Sequence, residues 1–131
     1  MSRAFTPATY FAKSERALHG AHLVIEGGEI EGACNRAYYA MYDAAHAALL
    51  AEGPVDYRVT KTHSALIAAF GRHLVQTNKL PRELGRSLNE VEQLRLMADY
   101  TGDEIKLEQA VWAVSQAEYF VSAIRQILFS G

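Results

Sequence analysis

The stretch from Ile30 to about Ala51 constrains the fold of this chain more than any other segment. Gly27-Gly28 precedes it and Gly53-Pro54 follows it, so it reads as one uninterrupted helix. Ala33, Ala37, Ala40 and Ala44 fall on one face, where small side chains let another backbone come close. Asn35, Tyr39, Tyr42 and His46 fall nearly opposite, with Tyr38 and Leu49 beside them. A helix with apolar or aromatic surface most of the way round either occupies the centre of a bundle or buries its second face in a partner. A homodimer through the tyrosine face is the expectation.

The remaining segments are also helical in pattern. Thr6 as N-cap and Pro7 at the first helical position open a helix carrying Phe11, Leu18, Ala21 and Ile25. Thr60 or Thr62 caps a third, ending near Gln76. Leu80-Pro81 starts a fourth with Leu84, Leu88, Val91, Leu94 and Ala98, which breaks at Thr101-Gly102. A fifth runs from Asp103 or Lys106 to Phe129. No strand-like alternation competes. Short connections favour antiparallel neighbours. The pattern predicts an all-α, up-and-down four-helix-type bundle with an additional helix, about five in total, as a single domain over residues 1–131.

Charge and cysteine content bound the partners. Net charge is −2, which does not mark the whole chain as a polyanion binder. From Tyr57 to Asn89, however, six Lys or Arg face one acid, while both flanking thirds are acidic. That basic middle, with Arg58, Lys61, Arg72, Lys79 and Arg86, is either a phosphate-facing surface or a solvated cluster. The lone Cys34 permits no internal disulfide and reads as a small buried hydrophobe. No apolar run spans a membrane, and no leader pattern opens the chain. The expected location is the cytoplasm.

Four constellations could carry chemistry. Arg95 falls on the apolar stripe of Leu84, Leu88 and Val91, where an arginine must be paired or open into a cleft. Asp99 lies one turn on, so the two form either an ion pair at the rim of the core or part of a functional pocket. Tyr100 joins them only if the helix ends at Asp99 or if two copies meet. Lys61-Thr62-His63 opens the third helix, whose N-terminus is a natural anion site and suits a neutral, hydrogen-bonding imidazole at His63. Its alternative is a simple capping turn. Asn35 and Arg36 with Tyr38, Tyr39 and Tyr42 could stack bases and hold phosphate, or pack as core and interface; Arg36 and Asp43 share a flanking face suited to a surface network. Glu15, His19, His22 and Glu26 form a stripe better read as a solvated face than as a metal site, because no Glu-x-x-His partner motif exists. No metal or other cofactor is expected.

Three of these segments together resemble the HEPN family, in its compact prokaryotic form. They are Asn35-Arg36-Ala37-Tyr38-Tyr39-Ala40-Met41-Tyr42, then Lys61-Thr62-His63-Ser64, then Leu80-Pro81 with Leu84-Gly85-Arg86 and Arg95 through Tyr100. The resemblance implies a dimerising helical bundle that accompanies a minimal nucleotidyltransferase, often as a toxin–antitoxin pair. It implies a metal-independent ribonuclease in which Arg95 is the motif arginine, with Asp99 and Tyr100 completing the catalytic set. Asn35, Arg36, Tyr39, Lys61 and His63 would contact RNA or nucleotide. Tyr100 stands where the family motif has histidine, and tyrosine is a poor general base at neutral pH. In some family pairs the nucleotidyltransferase modifies a tyrosine beside the motif, which makes Tyr100 a candidate for modification. The alternatives are a non-catalytic HEPN module that binds nucleotide or RNA or serves as the nucleotidyltransferase's partner or substrate, and a purely structural dimerising bundle.

Overall fold

The computed structural model describes residues 6–59 and 62–129, apart from the side chain of Asp99. Five helices follow one another: α1 (Pro7–Glu26), α2 (Ile30–Glu52), α3 (His63–Phe70), α4 (Arg82–Thr101) and α5 (Leu107–Ile124). α3 runs on into a π-type turn, Gly71–Val75, and α5 into another, Arg125–Phe129. Local chemistry sets the boundaries. The Thr6 hydroxyl accepts the Thr9 N–H at 3.1 Å, and the Thr9 hydroxyl accepts the Thr6 N–H at 3.2 Å, a reciprocal cap ahead of Pro7. Between α1 and α2 the chain turns through Gly28 at φ +84°, a conformation that costs glycine little. Thr62 caps α3, accepting the Ala65 N–H at 3.1 Å. Pro81 is the N-cap of α4, whose first helical residue is Arg82. Gly102 ends α4 in the left-handed conformation, at φ 74°.

α2 is the central helix. α1, α3, α4 and α5 all pack against it. Ala33, Ala37, Ala40, Ala44, Ala47 and Ala48 are fully buried, and the Ser14 hydroxyl of α1 reaches the Ala40 carbonyl at 2.6 Å, which only a small-residue face permits. Phe70 and Phe120 meet at 5.4 Å between ring centres, closing the core between α3 and α5. Cys34 is buried, as its setting suggested.

The two-faced character of α2 is therefore met largely within one chain. Its tyrosine side is covered in a gradient. His46 is buried under Tyr10 of α1 and Tyr42 is half-buried, whereas Tyr39 and Asn35 stay exposed. α3 folds over this side and brings His63 to it, so part of the face is covered within one chain. The acidic–histidine stripe of α1 reaches across to α5: His22 Nε2 lies 2.8 Å from Glu118 Oε1, and Arg125 pairs with Glu15. Among the described residues no three His, Cys, Asp or Glu side chains converge as metal ligands. None of the described helices is long and apolar enough to cross a membrane.

Candidate functional site

The chemistry gathers where α2, α3 and α4 meet. Tyr38, fully buried on α2, points its hydroxyl between two groups from later in the chain. The hydroxyl donates to Glu92 Oε2 at 3.1 Å and lies 2.8 Å from His63 Nδ1. The other oxygen of Glu92 accepts two N–H groups from Arg95, Nε at 3.0 Å and Nη2 at 2.8 Å. The Arg95 guanidinium lies over the Tyr38 ring, 4.8 Å from its centre, a cation–π contact. Glu92 and Arg95 are only 6% and 15% exposed, while the His63 side chain is 32% exposed. The site is thus a buried ionic and hydroxyl base with one imidazole at the surface.

Aromatic rings hold that imidazole. Tyr42 stacks on it at 4.7 Å, Tyr38 stacks at 5.4 Å, and Tyr39 meets it edge-on at 5.7 Å. Burial pushes the Tyr38 hydroxyl well up, and the Glu92 carboxylate pushes it further, so Tyr38 keeps its proton. Burial alone would lower Arg95, but its hydrogen bonds and charge contact with Glu92 outweigh that and raise it. Burial pushes the neighbouring Cys34 thiol up to about 11 against the pull of Arg95, so it stays a thiol.

The structure sorts the residues singled out in the sequence. Arg95, His63 and Tyr39 come together. Arg95 pairs with Glu92, one turn earlier; the Asp99 side chain and Lys61 lie outside the described residues. Tyr100 corrects an expectation. α4 does not end at Asp99 but continues through Thr101, so Tyr100 sits on a regular helix, points well away from Arg95 and is 81% exposed. Within one chain it does not share a site with Arg95. Arg36 lies outside the cluster as well. Two residues before Tyr38, it faces nearly the other way and leans over α1, where a side chain at Gly20 would lie 3.1 Å from its Cδ. Asn35 is exposed beside it.

Asp43 is a second correction. It forms no surface network with Arg36, because α1 packs over that edge of α2 and buries it. Glu92 was missed as a site residue, and Tyr38, weighed as a base-stacking or a packing residue, serves instead as the buried hydroxyl of the cluster. The available signal was the Glu-x-x-Arg spacing on α4, since residues three apart share a helix face.

Asp43 and His46 give the protein a hidden pH dependence. Burial pushes the Asp43 carboxyl up to about 6, with Lys13 and Arg16 pulling back, while burial, then Lys13 and His63, push His46 down to about 4. As pH rises from about 4 to 6, folding loses stability through Asp43, which is then ionised in a buried place. Over nearly the same window it gains stability through His46, which the unfolded chain still holds protonated. The two slopes offset, so wild-type stability should be nearly flat across this range. Asp43→Asn exposes the histidine slope, and its stability should fall on the order of 3 kcal/mol between pH 7 and pH 4. His46→Gln exposes the opposite slope. Melting curves at pH 4.5 and 7 read both signs; parallel behaviour of all three proteins would contradict the assignment.

Sequence comparison shows which family the chain belongs to. The chain is 31% identical over 118 residues to a UPF0332 protein of Gloeobacter violaceus, covering 88% of this chain and 90% of that one. Two Methanocaldococcus jannaschii proteins, each named a "putative toxin", are 32% and 29% identical over 115 and 119 residues, covering 88% and 90% of this chain and 83% and 78% of theirs. The HEPN domain matches residues 8–127, a span that takes in α1 through α5 and every residue of the Tyr38–His63–Glu92–Arg95 cluster. An all-α bundle matched across nearly its whole length, the chain belongs to the HEPN domain family.

Proposed function

We propose that the protein is a toxin-type HEPN subunit that acts on RNA as a metal-independent ribonuclease, works as a homodimer in the cytoplasm, and is held in check by a minimal nucleotidyltransferase. The observation that carries this reading is the placement of Arg95. A planar guanidinium is held by two N–H donors on one carboxylate oxygen and lies over the ring of Tyr38, whose hydroxyl meets a partly exposed histidine. Arginine in a fixed plane suits phosphate recognition, because its donors form a rigid fork. The half-exposed tyrosines beside it offer π-faces for bases. The relatives named as putative toxins support the biological setting.

Tyr100 fits the partner's side of this reading. Its exposed position on the outer face of α4 leaves the hydroxyl open to a modifying enzyme, and it meets Arg95 only across a dimer. The second reading is a non-catalytic module that binds nucleotide. Glu92 favours it, since the carboxylate offsets the Arg95 charge within the chain. Expression in a bacterial host separates the two. The first reading expects growth arrest, relieved by co-expressing a minimal nucleotidyltransferase encoded beside the gene. Unimpeded growth, together with a purified protein that binds nucleotide and leaves RNA whole, would move the assignment to the second.

A further inference from the structure

The hydrogen bonds around Tyr38 fix more than a position. The hydroxyl carries one proton and has two neighbours, Glu92 Oε2 at 3.1 Å and His63 Nδ1 at 2.8 Å. Glu92 also accepts two N–H groups from Arg95, as an ion-paired carboxylate with only lone pairs to offer. The Tyr38 proton therefore goes to Glu92, and the contact with His63 must be made by a proton on Nδ1, given to the Tyr38 oxygen. A neutral imidazole protonated on Nδ1 has its lone pair on Nε2. Nδ1 faces the fully buried Tyr38 hydroxyl and lies 3.6 Å from Glu92 Oε2, while the His63 side chain is 32% exposed, which assigns the open edge of the ring to Nε2. Three tyrosine rings hold the imidazole in that plane.

We propose that His63 is the general base of the ribonuclease reaction, and that Tyr38 and Glu92 are positioning residues that lock its Nδ1–H tautomer. The inference rests on the ribonuclease reading above and names the base that the motif position, occupied by Tyr100, does not supply. Nε2 takes the proton of a ribose 2′-hydroxyl. The freed O2′ attacks the adjacent phosphorus, and the P–O5′ bond breaks as the O2′–P bond forms. The departing 5′-oxygen takes a proton from water, and His63 later returns its own to solvent. The products are a 2′,3′-cyclic phosphate and a 5′-hydroxyl, with no oxidant, reductant or co-substrate consumed.

Two readouts test this, one of them independent of activity. Nitrogen-15 correlation spectra of the imidazole in the wild-type protein should show His63 as the Nδ1–H tautomer. Tyr38→Phe should lose that tautomer while its melting curve reports that the fold persists. His63→Asn keeps an N–H able to reach Tyr38 and removes Nε2. It should cut the rate of RNA cleavage by about 100-fold or more with little change in melting temperature. An Nε2–H tautomer in the wild type, or undiminished cleavage by His63→Asn, would overturn the base assignment and leave the ribonuclease reading standing. A wild-type protein that shows the Nδ1–H tautomer yet cleaves no RNA would overturn the ribonuclease reading and the base with it.

Discussion

Replacing Arg95 by lysine is expected to lower RNA cleavage at least about 100-fold, the scale on which a lost charge-stabilising donor is felt, while the protein stays folded. Arg95 spends Nε and Nη2 on a single oxygen of Glu92 and lies over the Tyr38 ring. Lysine preserves the positive charge and one hydrogen bond to that carboxylate. It loses the rigid planar fork of the guanidinium. A charge that is held but not oriented keeps the ion pair and forfeits the phosphate geometry. Cleavage rate and melting temperature measured on the same preparation separate these effects. Lysine at this position with full cleavage would remove Arg95 from the site.

The largest loss of stability from the same cluster is expected from Glu92→Ala. The carboxylate is 6% exposed and accepts from Arg95 twice and from Tyr38 once. Its removal takes a buried acceptor from a mostly buried guanidinium and a buried hydroxyl, at a cost of about 3–5 kcal/mol. For a domain of this size that lowers the melting temperature on the order of 10 °C. Truncating one partner is costly because the other remains charged. The double variant Glu92→Leu with Arg95→Met should therefore recover most of the stability while remaining inactive. A single variant that melts like the wild type would show that the pair is open to water and not the floor of a site.

Much of the helical frame was legible because its boundaries are written locally. Thr6-Pro7, Gly27-Gly28, Gly53-Pro54, Thr62 and Gly102 each act within a turn of their own position. The π-type turns at Gly71–Val75 and Arg125–Phe129 carry no comparable mark. The central place of α2 was legible in its alanine face. What covers its tyrosine face was not, since that depends on α3 folding back over it. Arg95 announced itself as an arginine on an apolar stripe, but Tyr38, His63 and Glu92 meet only through contacts 25 and 54 residues apart. Asp99, one turn on, lies outside the described side chains; Glu92, three residues earlier on the same face, is a buried partner that the sequence reading passed over. Tyr100 was tied to Arg95 by supposing an early helix end, whereas Gly102 lets α4 run to Thr101. Asp43 looked like a surface residue because its burial is imposed by α1.

The most direct measurement incubates the purified wild-type protein with a single-stranded RNA in excess chelator and analyses the RNA ends by mass spectrometry. The account expects fragments ending in 2′,3′-cyclic phosphate and beginning with 5′-hydroxyl, formed by the wild type and lost in Arg95→Lys and His63→Asn. RNA that stays intact with folded wild-type protein, or fragments formed equally by all three proteins, would contradict it.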